Sequence, residues 1–137
     1  MINKVTKELL KLSKKANSLN EIPVGAIIVK KNKIISKAYN NKNKTKLCTG
    51  HAEIIAIQKA SKKVKDWRLT DCELYVTLEP CNMCKEVIRQ ARIKRVVYFV
   101  KTNFINEEQK NIEYIYENSI FSSEFLKLIK SFFKNKR

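Results

Sequence analysis

Apolar residues in the first eighteen positions recur at helical spacing, with Val5, Leu9 and Leu12 standing among lysines. This predicts an amphipathic helix over Met1–Ser18. Glu21-Ile22-Pro23-Val24-Gly25 breaks that period and opens an extended stretch. Ala26–Val29 and Ile34–Tyr39 are short apolar runs flanking Lys30–Lys33, the pattern of two antiparallel strands joined by a tight polar turn. Asn40–Lys46 has no apolar periodicity and is expected to be a loop. Helical spacing returns in His51–Lys63 through Ile54, Ile55, Ile57 and Ala60, and again in Cys81–Arg92 through Met83, Val87, Ile88 and Ala91. Between them Glu73–Leu78 is rich in β-formers and stops at Pro80; Arg95–Val100 is a fourth strand. Lys101–Ser119 is the weakest stretch, with Ile112–Tyr116 as the expected fifth strand. Ser122 or Ser123 is expected to cap a last helix with Phe125, Leu126, Ile129, Phe132 and Phe133 on one face. Strands alternating with helices imply a three-layer α/β sandwich, a five-stranded sheet covered by helices on both faces.

The length of 137 residues and 44% hydrophobic content suit one domain spanning 1–137, with a packed core. No run is apolar and long enough for a membrane span or a secretory signal, so a cytoplasmic protein is expected. In that compartment the four cysteines, 48, 72, 81 and 84, are better read as thiols or metal ligands than as two disulfides. The net charge of +16, from 29 basic against 13 acidic residues, favours a polyanionic partner, nucleic acid before an anionic membrane surface.

The single histidine lies in Gly50-His51-Ala52-Glu53, and Pro80-Cys81-Asn82-Met83-Cys84 follows later. One imidazole and two thiolates suit zinc, and three protein ligands leave the fourth position of a catalytic site for water. Cys81 and Cys84 fall on one face at a helix start, where the positive helix end favours thiolates. Glu53 is then the candidate proton carrier, since zinc acidifies water and a nearby carboxylate can take the proton. A redox C-x-x-C pair is the other reading of the cysteines. A structural zinc site is another, for which only Cys48 or Cys72 could supply the fourth ligand, and Cys48, three residues before His51, is the nearer competitor.

The pair of motifs is the signature of zinc deaminases. From Glu21 to Phe99 the chain resembles the bacterial tRNA-specific adenosine deaminases of the cytidine deaminase-like superfamily. The resemblance runs through Glu21–Ala26, Tyr39-Asn40, His51–Glu53, Trp67–Leu69, Leu74–Cys81, Asn82–Cys84 and Arg92–Val97. It implies a mixed sheet, one zinc per subunit held by His51, Cys81 and Cys84, and adenosine-to-inosine conversion at the anticodon wobble position. It also implies a homodimer acting on a tRNA anticodon stem-loop. On that resemblance Asn40 hydrogen-bonds the flipped adenine, Ile22 and Leu78 pack against it, and the Glu79–Cys81 backbone helps hold the attacking water. Phe132, Phe133 and Lys134 resemble the family's aromatic-basic tail, which touches the RNA stem.

The chain departs from the family pattern at Leu47-Cys48-Thr49-Gly50 and in the shorter, glycine-free segment after Phe99. On that resemblance both departures fall on the nucleic-acid side of the pocket and bear on which RNA is accepted. Two rival functions share the motifs. A free-base or nucleoside deaminase would keep the zinc site but has no use for the charge. An RNA-binding module with a structural zinc would keep the cysteines but has no use for Glu53.

Overall fold

The computed structural model describes residues 1–102 and 109–135, so part of the glycine-free segment after Phe99 lies outside the described residues. The elements run α1 (Ile2–Ser18), β1 (Gly25–Lys30), β2 (Lys33–Tyr39), α2 (Lys42–Thr45), α3 (Ala52–Val64), β3 (Cys72–Leu78), α4 (Asn82–Gln90), β4 (Arg95–Val100), β5 (Glu113–Tyr116) and α5 (Ile120–Asn135). The five strands form one sheet in the order β2-β1-β3-β4-β5. β1 runs antiparallel to both β2 and β3, whereas β3–β4 and β4–β5 are parallel. The sheet is therefore mixed, as expected.

Alternation along the strands sorts side chains to the two faces. Ile27, Val29, Tyr75, Val97 and Phe99 face one way and pack with Val5 and Leu9 of α1 and Phe125 and Ile129 of α5. Ala26, Ile28, Leu74, Val76, Val96 and Tyr98 face the other way and pack with Ala56 and Ile57 of α3 and Ile88 of α4. Fully buried side chains such as Leu9, Ile28 and Ile88 each contribute roughly 1.5–3 kcal/mol. α1 lies so close to β1 that a Cβ on Gly25 would stand 2.7 Å from Leu12 Cβ. Ser13 of α1 locks this contact, its hydroxyl 2.8 Å from Thr77 Oγ1 on β3.

Lys31 and Asn32 form the β1–β2 turn with φ of 49° and 62°, the two left-handed residues of a type I′ hairpin turn. Two expectations need correction. Asn40–Lys46 is not wholly a loop, because Lys42–Thr45 form the one-turn helix α2. Its support is tertiary: the Glu21 carboxylate, 2% exposed, accepts from Asn43 N–H at 3.0 Å and Lys44 N–H at 2.9 Å. The last helix is capped by neither Ser122 nor Ser123. Ser119 Oγ accepts from Phe121 N–H at 3.2 Å, and Ser122 reaches back to the Glu117 carbonyl from inside the first turn.

Candidate active site and metal centre

Strand register gathers the candidate residues at one end of the sheet. Gly25 pairs with Tyr39, and Ala26 pairs with Val76. The start of β1 therefore lies beside the ends of β2 and β3. Ile22 precedes β1, Asn40 follows β2 and Leu78 closes β3, so these three share that end. Chain reversals there lead into α3 and α4, whose N-cap residues are His51 and Cys81. Both helices turn their positive ends to the same place.

His51, Cys81 and Cys84 offer three ligand atoms that all lie within 4.8 Å of one another. His51 Nδ1 is 3.5 Å from Cys84 Sγ and 3.8 Å from Cys81 Sγ. Tetrahedral zinc with ordinary Zn–N and Zn–S lengths places such donors about 3.6 Å apart, so the donor set fits zinc in type and spacing. Hydrogen bonds from Cys84 and His51 bring the Cys81 thiol down to about 3, a thiolate at neutral pH. Cys84 is raised, through its hydrogen bond to Cys81 and its burial. The contact with Cys81 raises His51 in turn. Cys48 is exposed and outside the cluster, and Cys72 is buried in the core with its thiol raised by burial. The fourth-ligand reading of Cys48 has no geometric support.

Glu53 stands in the first turn of α3, 4% exposed. Burial is the main force that pushes its carboxyl up to about 7. Asn40 is also buried, and its Oδ1 accepts from Ala52 N–H at 2.8 Å. That bond fixes the amide orientation, and Nδ2 has no partner among the described residues. Ile22 and Leu78 are half-buried against the α3–α4 side of the core.

Phe132, Phe133 and Lys134 lie elsewhere, on α5, whose core contacts are on the opposite face of the sheet. Phe132 is buried, while Phe133 and Lys134 are exposed. Two further residues join the site without having been anticipated. Glu21 fixes α2, and α2 in turn presses on Gly50, where an added Cβ would stand 2.6 Å from Lys42 Cα. Tyr114 on β5 is near enough to Cys84 and Glu53 for their charges to add to the effect of burial in raising its phenol. Glu21 belongs to the Glu-Ile-Pro-Val-Gly-Ala stretch already singled out; nothing in the local sequence marks Tyr114.

The family model for the cytidine and deoxycytidylate deaminase zinc-binding region matches residues 1–100. The chain is 39% identical over 139 residues to the tRNA-specific adenosine deaminase of Buchnera aphidicola subsp. Schizaphis graminum, across 93% of this chain and 91% of that protein. A solved structure from work on A-to-I editing by tRNA:A34 deaminases superposes with a TM-score of 0.75 at 29% identity, covering 82% of this chain and 95% of that one. The guanine deaminase of Bacillus subtilis superposes with a TM-score of 0.69, also at 29% identity, over 97% of this chain and 93% of that one.

Proposed function

Because this chain belongs to the cytidine and deoxycytidylate deaminase zinc-binding family, and within it to the tRNA-specific adenosine deaminases, we propose that it deaminates adenosine to inosine at the wobble position of a tRNA anticodon stem-loop. The observation that carries the reading is the placement of the buried Glu53 carboxyl beside the His51–Cys81–Cys84 donor set.

His51, Cys81 and Cys84 hold zinc in this reading. When bound, the metal supplies the Lewis acidity that makes water a nucleophile near neutral pH. Hydrolysis exchanges the exocyclic amine for oxygen, so water must lose protons while the ring nitrogen and departing ammonia gain them. Glu53, held at about 7 by its burial, is matched to both halves of that traffic. Asn40, pinned through Oδ1, presents Nδ2 as a fixed donor to the base. Ile22 and Leu78 give the base an apolar seat. In the Glu79–Cys81 stretch, the Glu79 N–H is committed to the Val100 carbonyl and Pro80 has none. The Cys81 amide is left as the donor for the attacking water. The surface excess of lysine supplies attraction to the RNA backbone, with exposed Phe133 and Lys134 meeting the stem. The reading includes a homodimer acting in the cytoplasm. Among the described residues no helix is long and apolar enough to cross a membrane.

The test is incubation of the zinc-loaded protein with an anticodon stem-loop carrying a wobble adenosine, read by sequencing. Inosine is expected at that position, and Glu53→Ala should abolish it while zinc content stays at one per chain. Product from guanine or free nucleosides alone would favour the metabolic rival instead. Loss of zinc from Glu53→Ala would make Glu53 a ligand and overturn its assigned role.

A further inference from the structure

The short helix α2 buries none of its side chains, so it adds nothing to either core layer. Its N-cap residue, Asn41, makes no side-chain bond to the free amides of the first turn, the task an N-cap asparagine ordinarily performs. Those amides are met instead from the connection between α1 and β1. Glu21 Oε1 accepts from Asn43 N–H at 3.0 Å, and Oε2 accepts from Lys44 N–H at 2.9 Å. Beside them Asn43 Nδ2 donates to the Asn20 carbonyl at 3.0 Å. Glu21 is itself seated, since its own N–H donates to the Ala16 carbonyl of α1 at 2.9 Å.

A carboxylate only 2% exposed is costly to bury. Two charge-assisted bonds at a helix start offset that cost. The fold gains little in exchange, because the helix so held contributes no buried side chain. The loop that contains it does, however, frame the site. Asn40, whose Oδ1 holds Ala52 N–H, leads directly into this loop, and Gly50 and His51 leave it. Asn41 N–H donates to the Gly50 carbonyl at 3.0 Å and closes the loop at its neck. Lys42 stands near enough for its charge to act on the His51 ring. Ile22, proposed as part of the base's seat, follows Glu21 directly. One side chain thus ties the Ile22 segment to the loop between Asn40 and His51.

We infer that Glu21 is a positioning residue of the substrate site. Its carboxylate serves as a remote N-cap that holds the loop 41–50 against the Ile22 segment, and so sets where Asn40 and Lys42 meet the substrate. It acts through that loop and not on the reacting atoms. The inference rests on the deamination reading above for its substrate, while the holding of the loop is tested without turnover. The zinc-loaded full chain is compared with Glu21→Gln, which keeps the side chain's size but turns an NH₂ group towards one of the two N–H donors. Under native conditions trypsin should cleave the variant about tenfold faster after Lys42, Lys44 or Lys46, all exposed, with cleavage elsewhere unchanged because the opening is local. On the wobble-adenosine stem-loop KM should rise about tenfold while kcat stays within about twofold, at equal zinc content. A purely structural role would speed cleavage throughout the chain and lower kcat through lost active protein, with KM unmoved. That result overturns the inference, as do wild-type values in both measurements or faster loop cleavage at wild-type KM. Asn43→Ala removes the exposed bond to Asn20 and should give the same pattern at about two- to threefold; should Glu21→Gln fail to fold, this variant decides. If the wild type makes no inosine yet deaminates guanine, the RNA reading falls and the KM comparison on guanine decides the role of Glu21.

Discussion

At Asn40 one side-chain amide is divided between fold and site. Its oxygen holds the first turn of α3 through Ala52 N–H, and its nitrogen is the donor proposed for the base. The two duties separate by substitution. Asn40→Asp keeps an acceptor for Ala52 and loses the donor, so kcat/KM should fall about ten- to hundredfold while the thermal midpoint stays near wild type. Asn40→Ala loses both, and should add a stability loss of about 1–3 kcal/mol. Full kcat/KM in Asn40→Asp would remove Nδ2 from the proposed base contact. The same amide shows where residue-level reading stops. A polar residue ending a strand beside a metal motif is visible in sequence, but which of its two atoms serves the fold is decided by a backbone amide brought in by the next helix.

Among the elements, α2 depends on neighbours more than on itself. Four residues with no apolar member cannot hold a helix alone; Glu21 and the close approach to Gly50 hold it. Gly50→Ala tests this, because its Cβ would collide with the α2 backbone at 2.6 Å. The expected cost is roughly 1–3 kcal/mol in denaturant unfolding, with zinc affinity reduced because His51 is the next residue. An unchanged midpoint would show that α2 moves aside freely. The dependence also explains what the sequence left unread. The main strands and helices carry their own periodicity, and His51, Glu53, Cys81 and Cys84 carry theirs in two short motifs, so both were legible. α2, the Ser119 cap and the burial of Phe132 and Lys85 arise only when distant segments meet. Lys85 in particular is one of 29 basic residues until packing buries it.

For the whole molecule, charge sets opposite salt responses for the two proposed associations. Of the apolar residues of α4, Cys84 and Ile88 are buried in the subunit's own core, whereas Met83 is exposed. Whatever surface two subunits share, they meet against their common charge of +16. Sedimentation velocity should give a mass twice the 16.0 kDa of one chain, with dimerisation strengthened by salt while RNA binding is weakened by it. A monomer at every ionic strength would remove the dimer from the proposal.

The two strands at the margins of the sheet, β2 and β5, give that charge another effect. An outer strand offers unpaired backbone groups that can template stacking into aggregates. β2 carries exposed Lys33 and Lys37, and β5 is only four residues long, with Lys101 Nζ lying 4.5 Å from the Tyr116 ring centre. Lysine thus guards the sheet as well as supplying the attraction proposed for RNA, and stripping it to weaken RNA affinity would expose the chain to self-aggregation.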